Sequence, residues 1–261
     1  MKGAPEIPQM LETAKEAAVE SGRLLRDSFG KSTKINYKGR IDLVTELDLR
    51  SESVIIQTIR ARFPEHDILT EESDIPQSGA VHRWIVDPLD GTTNYAHGYP
   101  FFAVSIAVES NGRVVAGVVY NPLPDELFSA AVGGGSFLNG RRIGVSDTSE
   151  LDRSLLSTGF PYSIRDCPDT NIDNFSRLIM NCQGVRRDGA AALDLCHVAC
   201  GRNDGFWERG LFPWDVAAGG LFVHEAGGRI TDYGGGESDI HRKEILATNG
   251  LIHEQMMALL E

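Results

Sequence analysis

Residues 84–94 read WIVDPLDGTTN. Trp-Ile-Val has the bulk and continuity of a buried strand, and it stops at Asp87, with Asp90 three positions on. Proline at the second of four positions favours a type I turn, and such a reversal brings both carboxylates and the Leu89 carbonyl to one end of the strand. Three hard oxygen ligands would then converge. Read alone, the four residues also satisfy a plainer account: Asp87 opens a turn and Asp90 caps a helix beginning at Gly91.

Other acids bear on the choice. Glu71 and Glu72 follow the strand-like DILT of 67–70, and Asp215 sits in PWDVAAG just after the helix-starting Pro213. Each has its own plain role: Glu72 as a solvated loop acid, Asp215 at the positive end of a helix dipole, Asp48 as the acid of a T-x-x-D capping box. Gathered around one site, however, Glu71, Asp87, Asp90 and Asp215 supply four negative charges that cannot remain ionised together without cations. Two Mg²⁺ ions would neutralise them, and oxygen-only ligands suit Mg²⁺ better than zinc. Gly91-Thr92-Thr93 then offers backbone N–H groups and hydroxyls at a helix start, a seat for a phosphate. Magnitude points the same way. A general acid/base pair supplies ~10²–10⁴ in rate, whereas phosphate monoester hydrolysis can require up to ~10²¹, which calls for metal ions.

The rest of the chain is ordinary for a folded protein. It has 261 residues, 41% of them hydrophobic and 24% charged, with no biased tract. Lys and Arg total 25 against 37 Asp and Glu, a net charge of −12 that is a poor match to a nucleic-acid footprint. Cys167, Cys182, Cys196 and Cys200 form no C-x-x-C pair, as expected of packed thiols in a reducing cytoplasm. The seven histidines show no zinc spacing, and no stretch resembles a signal peptide or a membrane span.

Apolar spacing predicts a helix from Ile7 to the Phe29-Gly30 stop. A second runs from the Thr45 and Asp48 start signal through Val54, Ile55, Ile59 and Phe63 to Pro64. AVSIAVE and RVVAGVVY, separated by turn signals, predict an antiparallel meander, and AVGGGSFLNG reads as a turn between strands rather than a nucleotide loop. Beyond about Gly144, helices at 172–180, 190–199 and 215–226 interleave with the strands GFWE, GRIT and EILAT. The expected organisation is an α+β half over 1–144 and an α/β half over 145–261, tightly packed as one unit. No linker or repeat separates them.

With these residues in place, WIVDPLDGTTNYAHGYPFFAVSIAV closely resembles the first signature of the inositol monophosphatase family, and PWDVAAGGLFVHEAGG resembles its second. DLVTELD at 42–48, EES at 71–73, GSFLNGRRI at 135–143, DGAAALDL at 188–195 and FWE at 206–208 extend the match, in order, over nearly the whole chain. The resemblance implies a layered αβαβα fold of the α/β class, dependence on two or three Mg²⁺ per site, lithium sensitivity and homodimers. It makes Glu71, Asp87 and the Leu89 carbonyl ligands of one metal, with Asp87, Asp90 and Asp215 holding a second. Thr92 and Asp48 position the attacking water on the Glu71 side, and Glu208, Gly189 and Ala191 match contacts to substrate hydroxyls. Thr70 and Asp188 depart from the common pattern without touching a metal ligand. STGFPY at 157–162 looks most like bacterial members.

The expected reaction is hydrolysis of a phosphate monoester, foremost myo-inositol 1-phosphate, in the cytoplasm. Fructose 1,6-bisphosphate and nucleotide 3′-phosphates are alternative substrates for the same metal core. A regulatory binding role is a rival of another class, because one bacterial relative also acts in transcription antitermination. A glycosidase using paired carboxylates would survive chelation of divalent ions.

Overall fold

The computed structural model describes residues 6–31, 35–37, 43–166, 170–237 and 239–260; Asp42 and Cys167 lie outside them. The chain runs through helix α1 (Glu6–Ser28), strands β1 (Ile35–Tyr37) and β2 (Leu43–Thr45), and helix α2 (Glu46–Arg62). Next come β3 (Asp67–Thr70), β4 (His82–Asp90), the short α3 (Thr92–Ala96), and the meander β5 (Ala103–Ser110), β6 (Arg113–Asn121), β7 (Glu126–Ala131), β8 (Gly135–Leu138) and β9 (Arg141–Arg142). After a 3₁₀ turn at Leu151–Arg153 follow β10 (Leu155–Thr158), α4 (Ile172–Ile179), β11 (Gly184–Arg186), α5 (Ala191–Ala199) and β12 (Gly205–Arg209). The described chain ends with α6 (Pro213–Glu225), β13 (Arg229–Thr231), β14 (Glu244–Thr248) and α7 (His253–Met257).

A two-residue alternation along the strands builds the layers. Trp84, Val86, Val104, Ile106 and Val108 pack with Ala14, Ala17, Ile55 and Ile59 of α1 and α2. Their neighbours Ile85, Ala103 and Ala107 face the opposite way and join α5 and α6. The second sheet repeats the pattern: Phe206, Ile245 and Ala247 meet α5 and α6, while Trp207 and Leu246 meet Leu178 of α4 and Met256 of α7. The result is five layers: helices, a seven-stranded sheet in the order β3-β4-β5-β6-β7-β8-β9, helices, a five-stranded sheet in the order β11-β10-β12-β14-β13, and helices. This is the αβαβα arrangement. The unbroken apolar run of Trp84-Ile85-Val86 follows from it, because a strand covered on both faces has no solvent side to make polar. Each such large side chain contributes ~1.5–3 kcal/mol on full burial.

Two local expectations at the opening stretch are corrected. The chain does not reverse at Asp87-Pro88-Leu89-Asp90; β4 continues through it. Asp87 pairs with Ser105 and Asp90 with Ala103, so Pro88 and Leu89 together oppose Val104 in a bulge. Proline has no N–H to give the ladder, and a bulge accommodates that loss without ending the strand. Nor does Asp90 cap the helix that follows. α3 has Gly91 as its N-cap, at φ 90° and with no side-chain cap, a backbone region open to glycine. Asp90 Oδ2 instead accepts from the Ala192 N–H at 2.8 Å, capping the first turn of α5 from across the molecule.

Candidate active site

Strand ends bring the acids together. β3 and β4 run parallel, so both deliver their carboxyl ends to the same edge. The chain leaves β3 at Glu71, whose N–H still reaches the Val86 carbonyl at 3.3 Å. β4 supplies Asp87, Leu89 and Asp90, α6 begins with Asp215 in its first turn, and β12 brings Glu208 from the second sheet. Such an edge, beyond the carboxyl ends of parallel strands, is where α/β proteins place ligands.

Glu71, Asp87, Leu89, Asp90, Gly91, Thr92, Gly189, Ala191, Glu208 and Asp215 line a single cleft with about 750 Å³ of free space, part of it open to solvent. Asp48 is not in the lining. It lies 1% exposed behind Thr92, whose hydroxyl is 3.0 Å from Asp48 Oδ1 and 3.0 Å from the Leu89 carbonyl. Thr93 is the remaining expected residue; it is exposed and outside the lining.

The floor of the cleft is fixed by backbone donors. Asp87 Oδ1 accepts from the Leu89 N–H at 2.9 Å across the bulge, and Asp215 Oδ2 accepts from the Phe212 N–H at 2.7 Å as the reciprocal half of a helix cap. Ser51 of α2, fully buried, donates to the Pro88 carbonyl at 2.6 Å and pins the bulge from below.

These carboxyls hold their protons far above the usual carboxylate range. Burial, then the charges of Glu71, Asp90 and Asp215, raises Asp87 well above it. Burial lifts Asp90 to about 7 against the opposing pull of the Ala192 N–H. Burial, then Asp90, lifts Asp215 to about 7. Glu208 is pushed up to about 8 by burial and then by Asp215, with Arg187 working in the other direction. Among the described residues no Lys, Arg or His forms an ion pair with Asp87, Asp90 or Asp215. Buried carboxylates without a basic partner, beside a free carbonyl lone pair, form an all-oxygen donor set suited to a hard divalent cation.

Histidines make a different group elsewhere. Glu6, His66 and His82 bring one carboxylate and two ring nitrogens within 4.8 Å of one another, outside the cleft. The Trp84 indole donates to His66 Nδ1 at 3.1 Å, so the ring proton sits on Nε2, facing Glu6 at 3.4 Å. In that tautomer His66 Nε2 has no lone pair for a metal, and the cluster is a hydrogen-bonded anchor of α1.

Several cleft residues received no role from the motifs. Phe160, Pro161, Tyr162, Gly210, Leu211, Phe212 and Trp214 form an apolar wall, with the Phe212 and Trp214 rings stacked 5.1 Å apart. Arg187 is an exposed cation in the lining, in the Arg-Arg pair just before DGAAALDL. Ser51 and Glu52, buried neighbours of Asp48 on α2, look like surface-helix residues in the sequence.

Comparison with known proteins agrees with this architecture. The profile of the Inositol monophosphatase family matches residues 6–261. An inositol-1-monophosphatase of Synechocystis sp. is 48% identical over 255 residues, covering 96% of this chain and 88% of the relative. The Nus factor SuhB of Escherichia coli is 44% identical over 252 residues, covering 95% and 94%. The solved structure of an inositol monophosphatase from Anabaena superposes with a TM-score of 0.90 at 47% identity, covering 98% of this chain and 96% of that one. In sequence and in fold, the chain belongs to the inositol monophosphatase family.

Proposed function

We propose that the protein hydrolyses phosphate monoesters in a Mg²⁺-dependent reaction, with myo-inositol 1-phosphate as its principal substrate and inositol and phosphate as products. The observation that carries this reading is the convergence of Glu71, Asp87, Asp90, Asp215 and the Leu89 carbonyl on one cleft, where the three aspartates have no basic ion-pair partner among the described residues. Glu71, Asp87 and Leu89 would hold one ion and Asp87, Asp90 and Asp215 another, with two or three Mg²⁺ per site. The chemistry Mg²⁺ would supply there is activation of water and neutralisation of charge on the phosphate and the departing oxygen.

The chain's own residues supply position. Asp48 accepts the Thr92 hydroxyl proton and thereby aims the Thr92 oxygen lone pairs toward the attacking water. Gly91 and Thr92, with Thr93 behind them, present the first N–H groups of α3 to the phosphate. Glu208, beside Gly189 and Ala191, accepts from hydroxyls of the inositol ring. Ionisation of Asp90 and Asp215, whose pKa values lie about 7, accompanies loading of the site.

The test is phosphate release from inositol monophosphates, fructose 1,6-bisphosphate and adenosine 3′,5′-bisphosphate, with and without Mg²⁺ and Li⁺. Mg²⁺-dependent, Li⁺-inhibited turnover with inositol 1-phosphate preferred is expected. Preference for either bisphosphate moves the substrate assignment, and turnover surviving chelation overturns the metal reading. The reading also takes the protein as a cytoplasmic homodimer with no direct nucleic-acid contact, in keeping with its net charge of −12. The similarity to the Nus factor SuhB favours a second, regulatory role alongside catalysis. RNA polymerase pull-down with an inactive Asp90→Asn variant would separate the two.

A further inference from the structure

Three residues on one face of α2 reach three different segments of the cleft. Asp48 meets Thr92, Ser51 meets the Pro88 carbonyl, and Glu52, one position further, meets the segment that carries Glu71. The spacing i, i+3, i+4 places all three on a single helical stripe. They are 1%, 0% and 3% exposed, on a stripe where apolar residues would ordinarily sit.

Glu52 is the most densely bonded of the three. Its Oε1 accepts from the Thr70 hydroxyl at 2.6 Å, the Ser73 N–H at 3.1 Å and the Glu72 N–H at 3.3 Å, and its Oε2 accepts from the Ser73 hydroxyl. Every donor belongs to residues 70–73, and Glu71 is the one residue in that run that does not donate to it in this set. A buried carboxylate is costly unless its lone pairs are met, and here four neutral donors meet them. The bonds bracket Glu71 on both sides while leaving its own side chain to the cleft lining.

We propose that Glu52 is a positioning residue for the metal centre: by holding residues 70, 72 and 73 it fixes the backbone from which Glu71 enters the cleft. This rests on the reading of the cleft as a metal-dependent phosphatase centre. Glu52 touches neither substrate nor the reacting atoms. Its effect passes through the placement of Glu71, so it belongs in the affinity for the cation rather than in the chemical step.

The bonding pattern predicts which substitution is tolerated. Oε1 takes three donors, but Oε2 takes only a hydroxyl, which can turn and accept instead. Glutamine with its oxygen at the Oε1 place and its amide at the Oε2 place therefore keeps all four bonds. Glu52→Ala loses all four.

The experiment uses the full chain as wild type, Glu52→Gln and Glu52→Ala. Mg²⁺ binding is measured by calorimetry without substrate, phosphate release is titrated against Mg²⁺, and hydrogen exchange is followed at the amides of Glu72 and Ser73. Outer partners of metal ligands typically contribute 10- to 100-fold in affinity, so Glu52→Ala is expected to bind Mg²⁺ ~10-fold or more weakly. Its kcat should recover at saturating Mg²⁺, and its Glu72 and Ser73 amides should exchange faster. Glu52→Gln should follow the wild type in all three. An unaltered Mg²⁺ titration in Glu52→Ala overturns the proposal, as does a Glu52→Gln variant as weak as alanine. If Glu52→Ala does not fold, Ser73→Ala, which removes one donor, is expected to weaken Mg²⁺ binding in the same direction by less; no shift there overturns the proposal as well. A wild type that neither binds Mg²⁺ nor releases phosphate overturns the underlying reading instead, so the two failures are distinguishable.

Discussion

Thr92 and Asp48, 44 positions apart in the chain, meet at 3.0 Å in a buried hydroxyl–carboxylate contact. The Thr92 hydroxyl has one proton and two acceptors in reach, Asp48 Oδ1 and the Leu89 carbonyl. Donation to Asp48 leaves the Leu89 carbonyl lone pairs available to a cation. The pair thus acts as a unit. Thr92→Val and Asp48→Asn should each lower kcat by ~10²-fold or more, the low end of what positioned proton-transfer groups supply. The double variant should fall little below the worse single one, because the second change removes an interaction already lost. Steady-state phosphate release on all three proteins checks this, and losses that simply multiply would show the two residues acting separately.

A second prediction separates stability from activity at Asp90. Its carboxyl, raised to about 7, is ionised at pH 8 and buried beside other acids. Asp90→Asn removes that charge, while the amide oxygen can still accept from the Ala192 N–H. Without divalent ions the variant should therefore melt higher than the wild type at about pH 8, by a margin that shrinks as pH falls from about 7 to about 4 and is gone where the wild-type group is protonated in both the folded and unfolded states. Its activity at saturating Mg²⁺ should fall by ~10²-fold or more, since an intended ligand is gone. A variant with near-wild-type turnover would remove Asp90 from the metal set.

The third prediction concerns pH and Mg²⁺ together. Asp90 and Asp215 titrate near 4 when unfolded, by their ordinary values, and about 7 when folded, so the folded metal-free protein binds more protons. A raised pKa contributes stability below the unfolded value that is lost as pH climbs through the folded one. The contribution of these two groups should thus decline between about pH 4 and pH 7 in chelator. Cation binding requires the ionised forms, so the gain in melting temperature on adding Mg²⁺ should be small at about pH 5 and large at about pH 8. Differential scanning fluorimetry at matched ionic strength reads the difference, and a gain independent of pH would exclude these carboxyls as the binding groups.

Much of this architecture is legible in the sequence because its layers are written as period. The unbroken apolar run of Trp84, Ile85 and Val86 and the helical stripes of α1 and α2 are local patterns, and they survive intact. What the sequence hides depends on partners far along the chain. Whether Pro88 makes a turn or a bulge is decided by Val104 across the ladder, and the donor that Asp90 caps lies at Ala192. Glu52 is hidden for the same reason: an acid on an amphipathic helix reads as solvated until residues 70–73 fold onto it. Thr93 shows the converse. Next to Thr92 in the motif, it points to solvent, because neighbours on a helix do not share a face.

Gly159 provides a test of the substrate end of the cleft without touching the metal end. A Cβ added there would overlap the Glu208 carboxylate, the far end of a side chain that can move. Gly159→Ala should therefore displace Glu208 with little change in melting temperature, since no backbone atom has to shift. Glu208 is held to recognise the inositol hydroxyls, and none of Glu71, Asp87, Asp90 or Asp215 is among the nearest contacts of the added carbon. The expected result is a KM for inositol 1-phosphate raised ~10-fold, with kcat and Mg²⁺ affinity near wild type, the pattern of lost uniform binding. A phosphate ester lacking ring hydroxyls should lose less. Equal losses for both esters would mean that Glu208 acts on the shared phosphate chemistry and not on the alcohol.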